Sequence, residues 1–401
     1  MSLEAVVQAV VNAHVGSTFP ACAVCVVKGE AVLLDAAWGA IDAETRQIAA
    51  TTETLFDLAS LTKLFTTSAF LSLLCQSHLN IDDALVRLVP EFGRHAPRPI
   101  DGGQDPHSKQ HLTTPPAFVG HTVDPHQVTF RHLLTHTSGL PPWRDVYNAA
   151  GTPPLPPGEA DPESRIVRWA RAFQTLVTYP FVAPPNGIVR YSDIGLMLLG
   201  EATARLHPTH DLQSAIDDVV LSHLHAGRIT FNPLRSLHLP LSQIAPTEDD
   251  TLWRKRRVWG EVHDENACGV GGVAGHAGLF GTARAVAALG ARWLNDAQPF
   301  GIERTLAALA ITQQAQTNST RRGLGWALKA AEDSMAGDKL SMQSFGHSGF
   351  TGTTLWIDPQ AQLVVAALTN SVYNGRHSPD YERTHDFRRA LHDAIAEACG
   401  R

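Results

Sequence analysis

No stretch of the sequence approaches the ~18 consecutive apolar residues that a membrane-crossing helix needs. Nor is there a basic excess. The net charge is -7, which argues against a nucleic-acid binder, normally marked by a basic face. Cysteine is sparse, with five residues at 22, 25, 75, 268 and 399, an odd and scattered set that excludes a dense disulfide framework. The N-terminal MSLEAVVQAVVNAHVG lacks a basic n-region and an A-x-A cleavage site, and reads as a short amphipathic helix. These features lead us to expect a reducing, cytoplasmic setting. Cys22 and Cys25 form a CxxC, but within ACAVCVVKG, which reads as a strand. Residues three apart in a strand face opposite sides, so both are expected to be core residues rather than a redox pair. No G-x-S-x-G occurs, which argues against a nucleophile elbow. There is no internal repeat. Lysine is scarce as well, at six residues.

What is present is ordinary for a globular chain: 44% apolar and 18% charged residues. A length of 401 residues is large for one simple domain and suggests two lobes. ACAVCVV and AVLLDAAWGAI, separated by Lys28-Gly29-Glu30, read as a hairpin, as do TGTTLWID and LVVAALTN around 359–362. Helical spacing is expected at 60–76, 82–88, 130–136, 163–177, 193–206, 211–224, 282–295 and 379–398. Strands at both ends with helices between predict an α+β fold: an antiparallel sheet flanked by N- and C-terminal helices, with a mostly helical lobe inserted. We expect one domain over 1–401, divided into lobes 1–55 plus 283–401 and 56–282. Two segments lack periodicity. Residues 93–127 carry histidines 95, 107, 111, 121 and 126, and 141–162 are proline-rich. Connections this long read as lids or disordered segments.

One of the few lysines, Lys63, sits in the apolar run FDLASLTKLFTT, three residues after Ser60. Positions i and i+3 share a helix face, so the ammonium and the hydroxyl can meet. Desolvation would lower the lysine pKa and make it a proton acceptor for serine. A helix N-terminus there would favour developing negative charge. Tyr191-Ser192-Asp193 precedes another helical stretch, with Ser192 or Asp193 as its cap and Tyr191 just outside its positive end. Gly346-His347-Ser348-Gly349-Phe350 leads into a strand along which an extended substrate could lie.

Together the three motifs resemble the serine β-lactamase and penicillin-binding-protein superfamily, in its class C-like branch of esterases and D,D-peptidases. LNIDDALVRLVPEF, VTFRHLLTHTSGLP and VGGVAGHAGLFGTARAVAAL are similar to the same branch, and the likeness runs from about residue 20 to 397. The resemblance implies Ser60 as acylated nucleophile, Lys63 as its proton acceptor or partner and Tyr191 as shared base and acid. It implies the backbone N–H groups of Ser60 and Phe350 as oxyanion hole, with Asn370 near a substrate carboxylate. Asp193, His347, Ser348 and Gly349 would also contact substrate. Two departures stand out: Asp193 replaces the Asn of Y-x-N, and His347-Ser348 replace the Lys-Thr of K-T-G. Histidine is mostly neutral at pH 7, so the usual fixed cation for a β-lactam or peptide carboxylate is absent.

His132 and His136 have i,i+4 spacing, but Leu133 stands where a zincin needs Glu, so a structural role is expected. His263-Asp264-Glu265-Asn266 and His276 either line the cleft or brace a loop. The sequence therefore predicts a serine hydrolase that forms an acyl-enzyme on a small-molecule or peptide ester or amide, without cofactor or metal. The rivals are a true β-lactamase and a non-catalytic peptidoglycan- or peptide-binding member.

Overall fold

In the computed structural model, which describes residues 1–400 apart from His107 and Asn318, ACAVCVVK forms strand β1 (Ala21–Lys28). Its alternate residues enter two different cores. Ala21, Ala23, Cys25 and Val27 face the larger, while Cys22, Val24 and Val26 face the smaller. A strand buried on both faces reads as a continuous apolar run, which this one does. The partner strands are β2 (Ala31–Gly39), β3 (Ala315–Gln316), β4 (Arg321–Arg322), β5 (Ala327–Leu328), β6 (Phe345–Ser348), β7 (Thr354–Asp358) and β8 (Leu363–Thr369). The sheet order is β3-β4-β5-β6-β7-β8-β1-β2, antiparallel throughout.

Five helices frame the site: α1 (Leu3–Asn12), α2 (Thr62–Cys75), α3 (Asp193–Leu206), α4 (Ala283–Leu294) and α5 (Pro379–Ala398). Val7 and Val11 of α1 and Phe387, Leu391 and Ile395 of α5 cover one face of the sheet. Helix α4 covers the other so closely that a Cβ on Gly290 would lie 2.6 Å from Val364 Cγ1. Helix α2 is buried on every side from Thr62 to Leu74. An all-round buried helix belongs at the centre of a lobe. Ser68 Oγ donates back to Leu64 O at 2.7 Å, while the buried Thr66 and Thr67 hydroxyls find no partner among the described residues. No described helix is long and apolar enough to cross a membrane. We propose the lobe division 1–55 plus 283–401 and 56–282, because both ends of the chain supply the large sheet while α2, α3, Arg165–Leu176 and Leu212–Val219 lie between them.

The helix expected at 82–88 is only a 3₁₀ turn, Leu85–Arg87. Asn80 and Asp83 side chains accept main-chain N–H groups of Asp82 and Asn80 at 2.9 and 2.8 Å, an alternative that competes with a helical turn. Strands β3 to β5 were not anticipated, since two-residue strands carry no period. Segments 93–127 and 141–162 are built around two arginines. Arg98 is buried between Phe92 and Phe181 and donates to Val177 O and Tyr179 O, both at 2.9 Å. Arg144 pairs with Asp101 at 2.6 Å, tying the two segments together. His107 of the histidine-rich stretch lies outside the described residues.

Candidate active site

Ser60 sits in the 3₁₀ turn Ala59–Leu61 that runs into α2. Its predecessor Ala59 has φ 45°, a left-handed conformation unusual for a residue with a Cβ. Such strain persists only when the surroundings over-determine it, and here they do. Buried Asp57 accepts the Ala59 N–H at 2.8 Å and the His263 N–H at 2.6 Å, one on each carboxylate oxygen. Thr351 Oγ1 donates to Asp57 O and Thr353 Oγ1 to Leu58 O, at 2.7 and 3.0 Å. These bonds seat the 349–351 turn against the turn bearing Ser60. A Cβ on Gly349 would lie 2.6 Å from Leu58 O, so the approach requires glycine. Asp57→Ala would leave two backbone donors unpaired in the interior and is expected to cost about 2–3 kcal/mol. Denaturant unfolding, with kcat alongside, checks this.

Lys63, one turn further on and 1% exposed, donates two hydrogen bonds and makes one ion-pair contact. The bonds go to Ser60 Oγ at 2.8 Å and His276 O at 2.9 Å, and the ion pair is with Asp193 Oδ1 at 2.8 Å. Tyr191 Oη donates to Ser60 Oγ at 2.7 Å, and its ring lies 4.9 Å from Lys63 Nζ. Ser192 caps α3, accepting from Gly195 N at 3.0 Å, and so fixes Tyr191 just outside the helix.

The expected electrostatics need correcting. Burial alone pulls the Lys63 pKa down, but the Asp193 carboxylate and Tyr191 outweigh it, and the net shift is upward. The lysine is an ammonium at rest. Burial also pushes the Tyr191 phenol up, and Lys63 offsets only part of that. Asp193, expected against the substrate, lines the smaller cavity and is also the ion-pair partner of Lys63. Asn370 is placed differently. Its buried amide accepts from Ala21 N at 3.1 Å and donates to Pro246 O at 3.0 Å, joining β1 to a loop away from both cavities described below.

His347 lies on β6 with Nδ1 2.8 Å from Ser348 O, so Nδ1 carries the hydrogen. Burial pushes its pKa down to about 3, and Nε2 is a buried lone pair without a partner among the described residues. The position is neutral, and no cation stands there.

Ser60, Tyr191 and Phe350 form the ridge between two cavities. The larger, about 500 Å³, is lined by His347, Ser348, Gly349, Arg322 and Trp356. The smaller, about 220 Å³, is lined by Lys109, Trp143, Asp193, His263, His276 and Arg376. The two long segments thus supply one wall of the smaller cavity, through Pro106, Lys109, Pro142 and Trp143. His263 and His276 both line that cavity and brace loops. His263 Nε2 meets Glu248 at 2.9 Å while its ring stacks on Phe350 at 5.6 Å, and His276 Nε2 meets Asp264 at 2.8 Å. Among the described residues no cluster of metal-ligating side chains occurs. His132 and His136 do not share a helix, since Phe130–Leu134 ends before His136 turns left-handed at φ 58°.

Sequence reasoning missed several contributors. His136 accepts the Ser192 N–H at 3.1 Å and packs its ring 4.7 Å from Tyr191, orienting the phenol. Arg388 holds Gly349 O at 2.6 Å and Thr353 O at 3.1 Å from 35 or more residues downstream. Neither left a local signal. Asp57, an acid in an apolar run three residues before the serine, did.

Fold and site define a serine hydrolase. The chain belongs to the Beta-lactamase family, which matches residues 7–388. It is 27% identical over 394 residues, 92% of this chain and 81% of the relative, to an Escherichia coli (strain K12) protein named "Putative D-alanyl-D-alanine carboxypeptidase". Among solved structures it is similar to EstCE1, a hydrolase with promiscuous acyltransferase activity (TM-score 0.69, 20% identity, 98% of each chain). It is likewise similar in fold to a penicillin-binding protein homologue from Caulobacter crescentus (TM-score 0.65, 17% identity, 99% of this chain and 98% of that one).

Proposed function

We propose that the chain hydrolyses an ester or amide through an acyl-enzyme on Ser60, with Lys63 and Tyr191 handling its proton and the Ser60 and Phe350 N–H groups receiving the oxyanion. The observation that carries this reading is the meeting of Lys63 Nζ and Tyr191 Oη on Ser60 Oγ at 2.8 and 2.7 Å. Charge-assisted donors beside a serine that borders two cavities fit acyl transfer.

For the substrate, we favour an ester over a β-lactam. Neutral His347 stands where the related enzymes carry a lysine. A cation does face the larger cavity, from a different strand. Arg322 of β4 has its guanidinium 5.5 Å from the Tyr191 ring, and its buried Nε has no hydrogen bond among the described residues. The nearby Asp333 is paired with Arg389 and His385. Arg322 thus suits an acidic group on the substrate. Arg322→Gln is expected to raise KM at least ~10-fold for a carboxylate-bearing ester, while its uncharged methyl ester changes little. Steady-state kinetics on the pair checks this.

The name of the Escherichia coli relative favours a second reading, a D,D-carboxypeptidase acting on a peptide amide. Intact mass after incubation with benzylpenicillin, beside a Ser60→Ala control, separates the two. A persistent adduct confined to the native protein supports the peptidase. Its absence, with turnover of activated esters, supports the esterase.

A further inference from the structure

Both partners of Ser60 Oγ are donors at rest, the Lys63 ammonium and the Tyr191 phenol. A nucleophilic serine needs an acceptor for its own proton. One contact further along there is a carboxylate, Asp193 Oδ1, 2.8 Å from Lys63 Nζ. Asp193 opens α3, and its main-chain N–H donates to Pro142 O at 2.8 Å, which fixes where the side chain starts. The side chain is 20% exposed and lines the smaller cavity, while Oδ1, the atom next to Lys63, is itself buried. The titratable and charged groups that share its cavity are Tyr191, Lys109, His263, Asp264, Glu265, His276 and Arg376, with Lys63 behind it. Asp264 meets His276 at 2.8 Å, while Glu265 is shared between Arg376 at 2.9 Å and Lys109 at 3.8 Å, and Arg376 is also held by Glu248.

Resting on the reading of Ser60 as nucleophile, we propose that Asp193 is the terminal proton acceptor of a Ser60–Lys63–Asp193 relay. As Ser60 Oγ bonds to the substrate carbonyl carbon, its proton moves to Lys63 Nζ and one ammonium proton moves from Nζ to Asp193 Oδ1. Lys63 is an ammonium before and after. The negative charge leaves Asp193 and arrives on the carbonyl oxygen, where backbone donors receive it. When the tetrahedral intermediate collapses, the bond to the leaving group breaks and Tyr191 gives its hydroxyl proton to the departing oxygen or nitrogen. Lys63 reprotonates Tyr191, and Asp193 returns its proton to Lys63. Water repeats the sequence against the acyl-enzyme. An amide at position 193 could not take the proton, and the lysine would then have to be neutral at rest.

Asp193→Asn distinguishes a relay from a static ion pair. For a static pair, removing the carboxylate lowers the pKa of both Lys63 and Tyr191, because Asp193 raises both. Activity would persist, and the acid limb of kcat/KM would move to lower pH. For the relay, kcat falls ~10²-fold or more throughout about pH 6–9 with KM little changed, and Asp193→Glu recovers part of the loss. Persistence of kcat in Asp193→Asn with a displaced acid limb overturns the relay. Ser60→Ala in the same assay keeps the two readings apart: if it retains activity, the nucleophile reading itself fails. Should Asp193→Asn not fold, Asp193→Glu carries the test alone. A reduced kcat at unchanged KM is expected from the longer reach, and full kcat overturns the relay.

Discussion

Ser60→Ala is expected to remove hydrolysis, by roughly 10³- to 10⁶-fold in kcat, and to abolish labelling by a fluorophosphonate. The size follows from what the hydroxyl does. Among the described residues it is the only hydroxyl that receives both Lys63 Nζ and Tyr191 Oη, so no described neighbour can inherit the attack. The substitution removes a single oxygen from a turn held by Asp57, Thr351 and Thr353, none of which bonds to that oxygen. The fold should therefore survive, with a thermal midpoint close to that of the native chain. Activity within tenfold of wild type would end the acyl-enzyme reading.

Lys63→Met is expected to cost about 10³-fold in kcat, within the range for losing an acid–base group. Methionine matches the lysine stem as far as Cε and lacks only the atom at Nζ, so the apolar packing of the stem is largely retained. What disappears is the ammonium that joins Ser60 Oγ, His276 O and Asp193. Stability should also fall, by about 1–3 kcal/mol, because the Asp193 carboxylate and the His276 carbonyl lose a partner. The cost is less than for a sealed pair, since Asp193 reaches the cavity. Kinetics and denaturant unfolding together check the claim. Loss of stability with full activity would make Lys63 purely structural.

Much of the fold could be read along the chain wherever burial has a period. Strand β1 is apolar on both faces, the last helix runs over 379–398 in sequence and structure alike, and α3 begins after its serine cap. The short strands β3 to β5 were invisible, because pairing partners and not a residue pattern define them. The candidate site divides the same way. The proximity of Ser60 to Lys63 is a local consequence of helical spacing. The surroundings of Asn370 were not legible, since nothing in LVVAALTN says that its amide bridges Ala21 and Pro246.

By itself the sequence determined which residues can carry the chemistry, because a serine and a lysine one helical turn apart meet whatever surrounds them. Only the tertiary structure decided their protonation. Tyr191 arrives from 131 residues away and Asp193 with it, and the net charge state of Lys63 depends on whether a carboxylate lies within hydrogen-bonding reach. From the sequence, burial made Lys63 a neutral base. In the folded chain burial still pulls its pKa down, but the Asp193 carboxylate 2.8 Å away and Tyr191 together outweigh burial and favour the ammonium.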